Sequence, residues 1–363
     1  MKFLFLEPFF GGSHRNFAEG LVAHSRHDID LLTLPARSWK WRMRGAALHF
    51  VKTISNLDVY DGLITTDLMS LSDFKALTGS ASPPALVYFH ENQLTYPLAP
   101  GEAMDFHFGF TDITSALAAD RIRFNSHTHF DAFFNALPGF LNMMPDYRPL
   151  WIIESLRSKA GVLYPGCDFP AKAQPLQPPD GQPPLIIWNH RWEFDKDPET
   201  FFAALDAVAG HGVAFRLALL GENFQAVPKA FIAARKRFGD RIVCYGYESS
   251  RRQYIDWLRQ GAIVISTAVQ ENFGISIVEA VRYGCLPLVP QRLAYPEVIP
   301  EALHSKFLYH SQENLIDKLL LLLTDYQAFL SDRTQIAEAM GAYAWESLIP
   351  AYDQEIEQLA NSA

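Results

Sequence analysis

Short apolar runs alternate along the chain with longer stretches in which apolar positions recur every three or four residues, the pattern of strands and helices in turn. In the first half the runs predict strands at 2–6, 29–33, 62–65, 85–89, 121–125 and 161–164, with helices between them. The segment Pro170-Ala-Lys-Ala-Gln-Pro-Leu-Gln-Pro-Pro-Asp-Gly-Gln-Pro-Pro184 is too rich in proline for a helix or a central strand, so 169–184 reads as a linker. The rhythm then restarts, with strands expected at 185–189, 213–220, 241–245, 262–266, 286–289 and 307–309. From Tyr326 onward the pattern is helical, with breaks expected at Gly341 and Pro350. Alternation of this kind predicts an α/β chain of two doubly wound, Rossmann-like domains, 1–168 and 185–340. Helices over 341–363 would close the chain and cross back to the first domain. Ligands of such folds bind beyond the carboxyl ends of the strands, so chemistry is expected just after strands, in a cleft between the domains.

Composition sharpens this picture by exclusion. The 363 residues are 49% hydrophobic and 13% aromatic, which is core material for two domains and leaves no room for disordered or fibrous classes. Lys and Arg total 31 against 40 Asp and Glu, a net charge of -9, so any nucleic-acid partner needs a local basic patch. Cys167, Cys244 and Cys285 form no close pair, which argues against a disulfide scaffold or a structural zinc and fits a reducing, cytoplasmic setting. The apolar start is interrupted by Glu7 and Pro8 and reads as a first strand rather than a signal peptide. The apolar run Leu319–Leu323 falls far short of the ~20 residues that span a bilayer, so no transmembrane segment is expected. Neither GxGxxG nor GxxxxGK[ST] occurs, which points away from dinucleotide enzymes and P-loop NTPases.

Two constellations follow strands in the second half. Glu271 stands in the loop after strand 262–266, Gly274 opens a helix, and Glu279 lies about one turn inside it. A helix amino end offers N–H groups and partial positive charge to a diphosphate, leaving the two acids for sugar hydroxyls on either side. Acids placed in a first turn for dipole reasons would read the same way. Arg191 and Lys196 lie on the loop after strand 185–189 and are suited to the charge that grows on a departing nucleoside diphosphate. They would equally pair with Glu193, Asp195 or Asp197 on a solvated turn.

An Arg and a Lys after the first strand, then Glu271-Asn-Phe-Gly-Ile-Ser-Ile-Val-Glu279 and Gly284-Cys-Leu-Pro287, resemble the retaining GT-B glycosyltransferases of the large GT4 family. Three amino-terminal segments resemble, more narrowly, the tRNA-queuosine mannosyltransferase family: Leu6-Glu-Pro-Phe-Phe-Gly-Gly-Ser-His-Arg-Asn-Phe17, Leu34-Pro-Ala-Arg-Ser-Trp-Lys-Trp-Arg-Met-Arg44 and Tyr88-Phe-His-Glu-Asn-Gln-Leu-Thr-Tyr-Pro97. The resemblance implies a GT-B architecture, GDP-mannose as donor, queuosine of tRNA as acceptor, and no cofactor or metal. It implies a donor site of Gly12, Tyr247, Asn272, Phe273, Gly274, Ile275 and Glu279, with His90, Arg191, Lys196 and Glu271 as catalytic residues. In such a retaining transfer the leaving phosphate takes the acceptor proton while the protein supplies orientation and electrostatics.

The residues themselves support an acceptor side in the first half. Gly11-Gly12 makes a tight turn after the first strand, and His90 follows an apolar strand, where it would meet the sugar or the acceptor hydroxyl. Arg37, Lys40, Trp41, Arg42 and Arg44 interleave cations with aromatics, as RNA binding requires, and Asn92 lies beside His90 as a further acceptor residue. A helix start with its two tryptophans turned inward is the plainer reading of that basic stretch. Asp28-Ile-Asp30, Asp195-Lys-Asp197 and His127-Thr-His129 are discounted as metal motifs. Two competing functions stay open: a glycan or lipid-linked acceptor, and a non-catalytic nucleotide-sugar or RNA-binding module.

Overall fold

The computed structural model describes residues 1–98, 101–172, 182–222 and 227–361, so the centre of the expected linker, 173–181, lies outside the described residues. The chain divides into two compact units, Met1–Asp168 with Tyr343–Ala363, and Phe169–Ala342. The first unit is a six-stranded sheet in the order β2-β1-β3-β4-β5-β6, from β1 (Lys2–Phe10), β2 (Asp28–Pro35), β3 (Gly62–Thr66), β4 (Ala85–Phe89), β5 (Arg121–Phe124) and β6 (Ala160–Val162). All its pairings are parallel. Its helices are α1 (Gly12–His24), α2 (Trp39–Thr53), α3 (Leu71–Thr78), α4 (Phe106–Ala118), α5 (His127–Asn142) and α6 (Trp151–Arg157).

Alternate side chains of β1 feed two cores, as the pleat requires. Leu4 and Leu6 join Leu63, Val87, Phe89 and Phe124 on one face. Phe3 and Phe5 join Phe17 and Leu21 of α1 on the other, together with Trp345, Tyr352, Ile356 and Leu359 from the end of the chain.

The second unit repeats the design with β7 (Leu185–Trp188), β8 (Arg216–Leu219), β9 (Ile242–Tyr245), β10 (Ile263–Ile265), β11 (Leu286–Pro290) and β12 (Leu308–Tyr309), ordered β12-β11-β10-β7-β8-β9. Its helices are α7 (Pro198–Gly210), α8 (Lys229–Phe238), α9 (Arg251–Gln260), α10 (Ile275–Arg282), α11 (Tyr295–Val298), α12 (His304–Phe307), α13 (Gln312–Thr324) and α14 (Leu330–Ala339). The last helix, α15 (Trp345–Ala360), belongs to the first unit. It runs through Pro350, where the sequence predicts a break. Proline removes one N–H from the helix. Burial of Trp345, Tyr352, Ile356 and Leu359 offsets that loss, as do the Tyr352 hydroxyl on the Tyr164 carbonyl (2.7 Å) and the Asp353 carboxylate on the Ser25 hydroxyl (2.6 Å).

Candidate active site

In an open parallel sheet the loops diverge where strand order reverses, and that point makes a crevice at the carboxyl ends of the two strands. In the second unit the reversal falls between β7 and β10, which are directly paired. The loops leaving those two strands are stitched together. The Thr267 hydroxyl lies 2.8 Å from both the Lys196 and the Asp197 carbonyls, and the Val269 N–H donates to the Asp195 carbonyl at 2.9 Å. Asp197, at φ 49°, caps α7 by accepting the Thr200 N–H, so this half of the Asp-x-Asp motif is a helix cap.

Lys196 is buried, and its ammonium lies 2.7 Å from the Gln270 carbonyl, 3.1 Å from Asp195 and 3.4 Å from Glu271. Burial alone would lower its pKa, but Glu271 and Asp195 outweigh it and hold the ammonium above its usual value. Arg191 remains 42% exposed with Glu193 at 3.3 Å, so it is close to one of the acids that a solvated turn would supply. Gly274, at φ 94°, begins α10, and a Cβ there would stand 3.1 Å from the Tyr295 ring. That conformation and that proximity both call for glycine. Of the neighbouring candidates, Phe273 is buried, Ile275 is half-buried, and the Asn272 amide oxygen accepts from Gln270 at 3.0 Å. Tyr247 is exposed beyond Gly246, whose φ is 123°.

Glu279 sits deeper in α10, almost buried, and its carboxylate takes the Arg251 guanidinium at 2.6 Å and the Tyr254 hydroxyl at 3.2 Å. Asn189, directly after β7, donates to that same Tyr254 oxygen (3.0 Å) and to the Ser276 carbonyl (2.8 Å). Buried His190 meets the Ser276 hydroxyl through Nδ1 at 3.1 Å, and burial followed by the Lys196 charge takes its pKa down to about 3. Sequence reasoning missed Asn189, His190, Arg251 and Tyr254. The first two were within reach, since they directly follow an apolar strand.

In the first unit the reversal falls between β1 and β3. Glu7, fully buried near the end of β1, accepts the Phe9 N–H (2.8 Å) and the Thr66 hydroxyl (3.1 Å), and its carboxylate lies 3.3 Å from His14 Nδ1. The His14 ring packs against that of His90, 4.1 Å between centroids and tilted by 39°. The His90 N–H donates to Asp67 Oδ1 at 2.8 Å and its carbonyl accepts from Asn125 at 2.9 Å. Gly12, at φ 52°, starts α1 beside this group. Glu7, His14 and His90 bring potential ligand atoms within 4.8 Å of one another. The carboxylate already accepts from the Phe9 N–H and the Thr66 hydroxyl and pairs with His14 Nδ1.

Asn92 departs from expectation. It is 1% exposed, its oxygen accepts the Leu94 and Thr95 N–H groups at 3.0 Å and its amide donates to Thr95, so its polar atoms serve its own turn instead of an acceptor. On α2 and the residues before it, Arg37, Lys40 and Arg44 are exposed and Trp41 is 78% exposed, so only Trp39 turns inward, against Phe108. Arg42 donates to the Pro35 carbonyl and Arg44 to the Thr111 hydroxyl at 3.2 Å. Asp28 and Asp30 pair with Lys2, and His129 is buried against Asn125 at 2.8 Å, its pKa taken down to about 3.

Comparison with known proteins accounts for both units. Residues 2–167 match the tRNA-queuosine alpha-mannosyltransferase N-terminal family, and residues 171–344 match glycosyl transferases group 1. A tRNA-queuosine alpha-mannosyltransferase of Drosophila melanogaster is 34% identical over 96% of this chain and 94% of its own. Among solved structures, Anabaena HepE in complex with UDP and glucose superposes with a TM-score of 0.67 at 15% identity, over 99% of this chain and all of that one. Sucrose-phosphate synthase from Thermosynechococcus elongatus superposes at 0.76 and 14% identity over the whole of both chains. These likenesses establish the GT-B fold. Among the described residues no helix is long and apolar enough to cross a membrane. With sequence identity to the fly enzyme running through both units, the chain is a glycosyltransferase and belongs to the tRNA-queuosine alpha-mannosyltransferase family.

Proposed function

We propose that the chain transfers mannose from GDP-mannose to the queuosine of tRNA, with retention at the anomeric carbon. The observation that carries the donor half is the buried Lys196, shared between Glu271 and the Gln270 carbonyl beside the amino end of α10, at the strand-order reversal of the second sheet. A diphosphate against Gly274, Ile275 and Ser276 would meet backbone N–H groups and the helix dipole, with Lys196 and Arg191 close enough in sequence and space to share its charge. Glu271 would then take the hydroxyls of the sugar. Glu279, held rigid by Arg251 and Tyr254, retains lone pairs for the ribose. Tyr247 offers an exposed ring, and the backbone of 245–247 an edge, to the base.

The tRNA acceptor is supported by the identity to the fly enzyme over nearly the whole chain. The exposed Arg37, Lys40, Trp41 and Arg44 are the side chains offered to RNA, with the half-buried Arg42 held on the Pro35 carbonyl. His90 would orient the acceptor hydroxyl, whose proton passes to the leaving phosphate as the new C–O bond forms and the sugar–phosphate bond breaks. The test is incubation with GDP-mannose and RNA from queuosine-sufficient and queuosine-deficient cells, read by mass spectrometry of the nucleosides. A hexose added only where queuosine is present is the expected result. Equal labelling of both RNAs, or none, would refute it.

A further inference from the structure

The buried group at the reversal of the first sheet sets two histidine rings against each other, with the Glu7 carboxylate paired with His14 and the Asp67 carboxylate accepting the His90 backbone N–H. Glu7 is the lone acid in β1 and is fully buried, with Phe9, Thr66 and His14 around its oxygens. The His14 ring packs against that of His90 at 4.1 Å between centroids, with the planes inclined by 39°, and Phe17 and Tyr88 each meet the His90 ring in an edge-to-face contact at 4.9 Å. Rings held this closely do not both take a proton without strong repulsion, and the Glu7 carboxylate decides which of them does.

We propose that Glu7 and His14 are positioning residues for His90: their ion pair keeps the one proton on His14, so that His90 stands at the carboxyl edge of the sheet as a fixed, uncharged imidazole. The proposal rests on the reading above in which His90 meets the acceptor or the sugar. An uncharged imidazole can accept a hydrogen bond from the attacking hydroxyl, and it does not repel the positive charge that builds at the anomeric carbon. An imidazolium fails on both counts. The electrostatics agree. Burial would lower the pKa of His14, but Glu7, with help from Asp67 and Glu91, pushes it up to about 9. Burial, then the His14 charge, then His129, hold that of His90 well below its usual value of 6.5. The other titratable neighbours are Asp67, raised to about 7 mainly by burial, and Tyr88, whose hydroxyl burial pushes well above its usual value.

The test compares wild type with His14→Gln, which keeps a polar group but removes the charge, and His14→Lys, which restores the charge. Histidine ¹⁵N NMR, assigned through His90→Asn, reads the proton on each ring, and kcat against pH reads its consequence. In wild type His90 stays neutral through pH 6.5 while His14 stays charged up to about pH 9. In His14→Gln the His90 titration and the acid limb of kcat both move to higher pH, by about one pH unit. His14→Lys moves them back, and the KM for GDP-mannose changes little in any variant. Unshifted His90 titration in His14→Gln, or a His14 that titrates near 6.5, would overturn the proposal. A uniform loss of kcat at every pH would also do so, by reducing His14 to a packing residue. Absence of transfer to tRNA in wild type, with the ring titrations as described, would instead refute the proposed acceptor and leave the proton assignment standing.

Discussion

Lys196 can be fully buried only because Glu271, Asp195 and the Gln270 carbonyl share its charge, and of the two acids Glu271 is the one whose side chain is partly open to solvent. Replacing Glu271 with Ala leaves Lys196 the Asp195 carboxylate and the Gln270 carbonyl, so the protein should still fold, with a lowered melting temperature. Turnover should fall by on the order of 10²-fold, as when one preorganised transition-state interaction is removed. Wild-type turnover in Glu271→Ala would remove this residue from the donor site. In the first unit the Glu7–His14 pair makes folding depend on pH. The His14 proton is bound more tightly in the folded state than in the unfolded one, so its stabilisation is complete below about pH 6.5 and is lost as pH rises through about 9. The span corresponds to roughly 3 kcal/mol. Glu7→Gln should therefore be destabilised most below about pH 6.5 and approach wild type near pH 9, which thermal melts across that range would measure. A constant difference would contradict the pairing.

Most of the elements were legible in the sequence because parallel strands buried on both faces are continuous apolar runs, and β3 and β4 have no polar outer face to confuse the pattern. The loops after β7 and β10 were legible for the same reason: a charged residue just past such a run has only the sheet's edge to occupy. What could not be read was adjacency. Glu7, Thr66 and His90 are far apart in the chain and meet because β1, β3 and β4 are neighbours. Arg251 and Tyr254 reach Glu279 from α9, which shows no sign of this in its own pattern. Asn92 reads as an acceptor residue from its place near His90, while in the structure its polar atoms are taken up by its own turn. On α2, exposed cations and an exposed tryptophan on one helix start predict a specific salt effect. Arg37→Ala with Lys40→Ala should weaken tRNA binding and reduce the slope of log affinity against log salt by about one for each phosphate no longer neutralised. An unchanged slope would take the RNA away from this helix.

At the scale of the molecule, each unit brings a cluster of residues to the place where its strand order reverses: Glu7, His14 and His90 in the first, Lys196, Glu271 and Gly274 in the second. The fold thereby explains why residues without a shared motif collect into two groups. Carriage of the donor by the second of these groups is the claim on which the rest depends. A crystal structure with GDP-mannose bound tests it most directly. The diphosphate should lie against the backbone of Gly274–Ser276, with Lys196 and Arg191 on its oxygens and Glu271 on the sugar; a donor lodged anywhere else, with those side chains unengaged, would contradict the account.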